Sequence, residues 1–260
     1  MPTIDEARRE GDALTVVLDF ERMLPLRPEH VVLRTVTDHV ERVSRLAQAA
    51  TKRSLDVAVS GAILLFTLPL IAVVSLLVRI ESPGPTFYRA QRVGRGGRTL
   101  RMLKFRKMHH NASGAPLTAS QDDRFTRVGR LLARTKIDEL PQLWHVLRGE
   151  MSLIGPRPED PGFVAERRED YAQILTVRPG VTGLSQIAFA EESQILCKVD
   201  PVGHYRSRIF PQKIGLDRMY ADRPTLRMDL SILFWTCAAV LLRRQVAVHR
   251  ETGRMNLRRR

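Results

Sequence analysis

Apolar and polar positions divide this chain unevenly. From Val57 to Val78 no charged residue occurs, and the stretch reads VAVSGAILLFTLPLIAVVSLLV. At 1.5 Å per residue a straight helix of this length runs ~33 Å, enough for the hydrocarbon core of a bilayer and long for a buried helix of a soluble domain. It starts too far into the chain, and no small-residue cleavage site follows it, for a signal peptide. Lys52 and Arg53 stand before it and Arg79, Arg89, Arg92 and Arg95 follow, so the positive-inside rule places both ends in the cytoplasm. Pro69, near the middle, removes a helical hydrogen bond and gives the helix a place to bend back. The expectation is a re-entrant helical hairpin kinked at Pro69; a single crossing helix with a tolerated proline is the other reading. A second apolar run, Leu230–Leu242, is too short to cross and has Arg227, Asp229, Arg243 and Arg244 at its ends. It suits a helix lying in the interface with Trp235 at headgroup depth, and equally a core helix.

Elsewhere the periodicities are shorter. Val40, Val43, Leu46 and Ala47 fall at helical spacing and predict an amphipathic helix over 38–49. After the turn cluster Glu81-Ser-Pro-Gly-Pro85, the runs Thr86–Arg89 and Leu100–Arg106 read as strands joined across Gly94, Gly96 and Gly97, a basic β-hairpin. A polar loop occupies 111–121, and a helix is expected to begin within 123–134. Ile137, Leu140, Leu143, Trp144 and Leu147 share one helical face, and Pro141 confines the helix start to near Asp138. Gly149 ends that helix, a strand or turn covers 151–158, a helix runs over 162–175, and a turn follows at 178–183.

Composition narrows the partners. The 260 residues carry 42 Lys and Arg against 28 Asp and Glu, a formal charge of +14, which favours phosphates, nucleic acid or an anionic membrane surface. Cys197 and Cys237 are too few and too separated for a disulfide framework or a structural zinc site, and both are expected as core thiols. The arginine-rich end is read as a disordered arm held at anionic lipid, with a nucleic-acid arm as the alternative.

The adjacent carboxylates Asp138 and Glu139 at a helix start can be simple caps. The basic segments that carry Lys104, Arg106, Arg134 and Arg157 offer a second reading, because a carboxylate at the positive end of a helix among cations stays ionised and meets phosphates there. If Glu139 holds a divalent cation across a diphosphate, Asp138 can attack phosphorus and become an aspartyl phosphate.

The strings Lys104-Phe-Arg106, Ile137-Asp-Glu-Leu-Pro-Gln-Leu-Trp through Gly-Pro-Arg-Pro158, and Arg178-Pro-Gly-Val-Thr-Gly-Leu184 resemble the bacterial sugar transferase family of monotopic phosphoglycosyl transferases. The resemblance runs over roughly Lys52 to Leu242. It implies an enzyme that moves a sugar 1-phosphate from a nucleotide sugar, usually a UDP-sugar, onto a polyprenyl (undecaprenyl) phosphate with Mg2+, releasing the nucleoside monophosphate. Asp138 would be the covalent nucleophile, Glu139 would assist at the metal, and Lys104 and Arg157 would serve the phosphate-bearing site. The family's re-entrant helix, bent at a proline, matches Pro69. The chain resembles the short form of the family, without extra N-terminal membrane helices. Where relatives commonly have Ser and Arg, Lys136 and Ala133 stand here, and Ser185 and Ala188-Phe-Ala190 replace a downstream aromatic and Asn-Gly-Arg pattern. Asp217, Tyr220 and Asp229 match the family's C-terminal pattern without an assigned role.

The implied fold is α+β and mainly helical. An N-terminal extension (1–51) leads to a re-entrant membrane helix (52–80), a cytosolic catalytic domain with the basic β-hairpin and interfacial helices (81–242) and a basic C-terminal tail (243–260). The implied setting is the cytoplasmic face of a bacterial inner membrane, in exopolysaccharide or other surface glycan assembly. Nucleotide sugar, polyprenyl phosphate and anionic lipids are the partners; a homo-oligomer is compatible with this. Nucleic acid is not expected, since it leaves the apolar run unexplained and no nucleic-acid motif is present. A non-catalytic membrane scaffold is the competing function, against which the intact Asp-Glu pair argues.

Overall fold

The computed structural model describes residues 28–112, 114, 117, 122–197, 199–240 and 244–257, which are mainly helical with small two-stranded sheets. The chain divides into two compact units, Met1–Ala49 and Ala50–Arg260. In the first, the described residues are helical and Val43 and Leu46 are exposed; residues 1–27 of the N-terminal extension lie outside the described residues.

Helix α1, Pro28–Glu81, carries the apolar stretch, and Pro69 lies inside it. The helix continues past Pro69 to Glu81 without a turn, so the two arms expected of a hairpin are not separate elements. Within the second unit its apolar surface is divided. Val59, Ile63 and Leu64 pack on the main core, and Ile71, Val74 and Val78 pack with Phe105 and Leu132. Leu65, Phe66, Leu68, Val73, Leu76 and Ile80 stay exposed. Among the described residues this is the one helix long and apolar enough to cross a membrane, by length and composition.

Polar side chains tie both ends of that stretch to the same domain. Asp56, buried, accepts from Ser152 Oγ at 2.7 Å and from the Leu153 amide at 3.1 Å. Lys52 Nζ donates to the Ile154 carbonyl at 3.2 Å and to Asp229 Oδ2 at 2.8 Å. The Tyr220 hydroxyl donates to Asp229 Oδ1 at 2.6 Å, so Tyr220 and Asp229 form the socket that holds Lys52 at the start of the apolar segment. At the far end Glu81 accepts from the amides of Arg127 (2.6 Å) and Val128 (2.8 Å).

The basic hairpin forms as predicted, with β1 (Phe87–Val93) antiparallel to β2 (Thr99–Phe105). Gly96 and Gly97 take φ of 66° and 76° in the connection, a region open to glycine at little cost. Alternation in β2 buries Leu100 and Met102. Helix α2 (Arg127–Thr135) starts where Thr126 accepts from the Gly129 amide at 2.8 Å. The segment after it is a 3-10 helix, Ile137–Gln142, followed by α3, Leu143–Arg148; Pro141 lacks the amide needed to continue an α-helix from Asp138. Gly149 ends α3 at φ 80°, as expected.

Strand β3 (Ser152–Ile154) pairs in parallel with β4 (Gly180–Thr182), so the turn expected at 178–183 is partly strand. Between them the helix predicted over 162–175 breaks at Arg167 into α4 (Pro161–Glu166) and α5 (Arg168–Ile174). Then come α6 (Leu184–Ala188), α7 (Glu192–Ile195), α8 (Pro201–His204), a π-helical turn Tyr205–Ile209, α9 (Phe210–Asp222) and α10 (Leu226–Val240). Helix α10 buries Ile232, packs Trp235 against the main core and exposes Leu230 and Phe234, which meets the core reading of the second apolar run on its inner face.

Two expectations are corrected. Most of the tail is not an arm: β5 (Val246–Val248) and β6 (Met255–Leu257) form an antiparallel hairpin, and Val246 and Met255 join the main core. Alternating apolar residues between the arginines provide the buried face. Cys197 and Cys237 are exposed, one in the loop after α7 and the other on the outer side of α10.

Candidate active site

The short 3-10 helix brings Asp138 inward. Lys136, at φ 59°, turns the chain out of α2, and Glu139 N donates to the Lys136 carbonyl at 3.1 Å, closing the first turn. Asp138 is 1% exposed. Both of its carboxylate oxygens are buried and accept no hydrogen bond from the described residues. Lys107 Nζ lies 2.9 Å from Oδ2, an ion pair rather than an aligned hydrogen bond. A buried carboxylate left in this condition carries a large desolvation cost.

Glu139 faces the other cations. Lys104 Nζ from β2 lies 2.9 Å from Glu139 Oε1, and Arg157 Nη2 lies 3.2 Å from the same oxygen. Burial pushes the Glu139 carboxyl up, but Lys104 and Arg157 outweigh it and hold the group well below the usual carboxylate range. Burial brings Lys104 down to about 8, against the pull of Glu139. Glu139 in turn raises Arg157. Arg157 is aimed by the β3–β4 pair, where Gly155 N donates to the Thr182 carbonyl at 2.9 Å and Gly180 N to the Pro156 carbonyl at 2.8 Å. A Cβ at Gly180 would stand 2.1 Å from the Gly155 nitrogen, so only glycine allows the strands this approach.

Behind Arg157 runs a polar network that no periodicity signals. The Tyr205 hydroxyl donates to Glu159 Oε2 at 2.5 Å, and buried Lys213 donates to Glu192 Oε2 at 2.9 Å and to Tyr205 Oη at 3.0 Å. Ser185 Oγ donates to Asp217 Oδ1 at 2.7 Å, and burial pushes the Asp217 carboxyl up to about 7.

Of the residues singled out from sequence, Asp138, Glu139, Lys104 and Arg157 are brought together. Arg106 and Arg134 are not. The Arg106 guanidinium is spent on the carbonyls of Ser82 and Pro83, closing the turn after α1, and Arg134 sits on the exposed side of α2. Lys107 was missed; its only sequence signal is a further cation directly after Lys104-Phe-Arg106.

Adjacent carboxylates sorted among separate cations, next to a long apolar helix, are the equipment of an enzyme that transfers phosphate-bearing groups, a phosphoglycosyl transferase. The chain belongs to the bacterial sugar transferase family, whose model matches residues 47–243. It is 37% identical over 202 residues to the UDP-glucose:undecaprenyl-phosphate glucose-1-phosphate transferase of Caulobacter vibrioides, covering 76% of this chain and 72% of that protein. It is 35% identical over 201 residues to the exopolysaccharide production protein PSS of Rhizobium leguminosarum bv. phaseoli, with 74% and 96% covered. The UDP-N-acetylgalactosamine-undecaprenyl-phosphate N-acetylgalactosaminephosphotransferase of Aeromonas hydrophila is 37% identical over 204 residues, 74% of this chain but 44% of that longer protein.

Proposed function

We propose that this chain transfers a sugar 1-phosphate from a UDP-sugar to undecaprenyl phosphate, giving a lipid-linked diphosphate sugar and UMP through an aspartyl phosphate on Asp138. The observation that carries this reading is the buried Asp138 carboxylate, whose oxygens accept no hydrogen bond from the described residues. A buried carboxylate met by a single ammonium at Oδ2, and accepting no hydrogen bond from the described residues, is a candidate nucleophile for a phosphorus centre. An Asp138 oxygen attacks the sugar-bearing phosphorus, and the bond to the bridging oxygen breaks with its electron pair leaving on UMP. An oxygen of the lipid phosphate then attacks the same phosphorus and returns the carboxylate. Lys104 and Arg157 neutralise phosphate charge that would otherwise repel the nucleophile.

Among the described residues no group of three or more His, Cys, Asp or Glu gathers into a metal site. Magnesium, however, commonly uses one or two carboxylates and completes its shell with substrate phosphates and water. The Asp138 oxygens, which accept no hydrogen bond from the described residues, and Glu139, whose contacts with Lys104 and Arg157 fall on Oε1, fit that donor set. Glu139 would hold the ion, which supplies Lewis-acid neutralisation of the diphosphate when bound.

The membrane setting we propose is monotopic, on the cytoplasmic face of a bacterial inner membrane. Although the helix is continuous through Pro69, both ends of the apolar stretch are tied to one domain, through Lys52 and Asp56 at the start and Glu81 at the end, which favours a bend at Pro69 that keeps both ends on one side over a helix that crosses. The product would enter exopolysaccharide or other surface glycan assembly.

The test is UMP release from UDP-glucose, UDP-galactose and their N-acetylated forms by the solubilised chain, with magnesium and undecaprenyl phosphate, beside Asp138→Asn. Release that needs the lipid and vanishes in the variant supports the reaction. Full activity of Asp138→Asn overturns the covalent route, and no release from any donor favours the scaffold reading.

A further inference from the structure

The cations around the adjacent carboxylates differ in their partners. Lys104 and Arg157 pair with Glu139, and Arg106 closes a turn. Lys107 is the one cation ion-paired with Asp138 among the described residues. Its placement is built. The Lys107 carbonyl accepts from the Thr126 amide at 3.0 Å, a Cβ at Gly129 would lie 1.9 Å from that same carbonyl oxygen, and the Phe125 ring centroid is 5.9 Å from the ammonium. Helix α2 therefore presses directly on the Lys107 backbone, and from there the side chain reaches Asp138. The side chain is 28% exposed while that of Asp138 is 1% exposed, so the pair joins a fully buried carboxylate to a side chain that solvent still reaches.

We propose that Lys107 is a catalytic residue that binds the transferring phosphoryl group, an inference that rests on the reaction proposed above. Before reaction its ammonium pairs with the carboxylate. As the bond from Asp138 oxygen to phosphorus forms and the bond to the bridging oxygen breaks, the carboxylate loses its charge to the new ester, and the ammonium turns to the non-bridging oxygens of the phosphoryl group. No proton moves; Lys107 stays cationic, and the electron pair leaves on UMP. Attack by the lipid phosphate reverses the exchange. A flexible ammonium with three donors suits this change of partner better than a guanidinium locked in a fork.

The test separates phosphoryl binding from mere neutralisation of a buried carboxylate. In an Asp138→Asn background that need for neutralisation is gone. Binding of UDP, which has the second phosphate, and of UMP, which lacks it, is measured with and without Lys107→Gln, with magnesium in every arm. The expected result is a loss of UDP affinity of about tenfold, with UMP affinity unchanged and UDP affinity largely restored by Lys107→Arg. Retained UMP binding shows that the fold has survived; if it is lost, Lys107→Met, closer in bulk to lysine, replaces Lys107→Gln. Unchanged UDP affinity, with Asp138-dependent UMP release intact in the otherwise unaltered chain, overturns the role of Lys107 and leaves the reaction standing. No UMP release from the unaltered chain overturns the reaction itself.

Discussion

Asp217 is buried, and its carboxyl is pushed up to about 7 because burial outweighs the hydrogen bond from Ser185 and the nearby Lys213. A carboxyl whose folded value lies above its unfolded value supports the fold most at low pH and loses that support as pH rises toward the folded value. The chain should therefore lose stability from this group between about pH 4 and pH 7. Asp217→Asn keeps an acceptor for Ser185 and removes the charge, so its melting temperature should gain on that of the unaltered chain as the buffer moves from pH 5 to pH 8. A gap that stays constant with pH would show that Asp217 is not the titrating group. Arg106 leads to a different expectation. Arg106→Met leaves the carbonyls of Ser82 and Pro83 without its donors, a cost of about 1–3 kcal/mol. Thermal unfolding should come earlier while KM for the nucleotide sugar holds, whereas a raised KM would return Arg106 to the phosphate site. Asp138, Glu139, Lys104 and Arg157 were legible because their residue types and order carry the chemistry. Lys107 was not, because its meaning is a through-space ion pair that spacing along the chain does not encode.

At the scale of elements, the β3–β4 pair is the part most sensitive to one atom. Gly180→Ala would put a methyl 2.1 Å from the Gly155 nitrogen, and forced overpacking of this kind costs about 3 kcal/mol. Because the same pair aims Arg157, UMP release should fall along with the melting temperature; a variant with normal stability and turnover would show that the strands need no such contact. The β-hairpin and the helix ended by Gly149 were readable from alternation, glycine and cap residues. The hairpin at 246–257 was hidden by its arginines, since a charge run with intervening apolar residues reads as a solvated arm until a core is present to bury Val246 and Met255. The break at Arg167, which takes φ −132° and ψ 45°, lies in a stretch with neither glycine nor proline to mark it.

For the whole molecule, the proposed return of the apolar segment makes a topological prediction. With the exposed Cys197 and Cys237 replaced by Ser, single cysteines at Thr51 and Pro85 should react with a membrane-impermeant thiol reagent from the same side of a sealed vesicle. Reaction from opposite sides would mean a crossing helix. Ending the chain at Gln245 removes the buried Val246 and Met255, about 3 kcal/mol of apolar burial, and should lower the melting temperature by several degrees; an unchanged melt would make the last hairpin dispensable. The sequence by itself determined the long apolar helix, the hairpin, the family and the pairing of adjacent carboxylates with nearby cations. These depend on run length, period and residue chemistry, all local along the chain. Only the tertiary structure decided that Asp56, Lys52 and Glu81 clamp both ends of that helix to one domain, that Tyr220 and Asp229 form its socket, and that Lys107 rather than Arg106 or Arg134 stands at Asp138. Those facts join residues far apart in sequence, and the burial that brings them together, by stripping water from charges, forces each to find a partner that composition alone does not name.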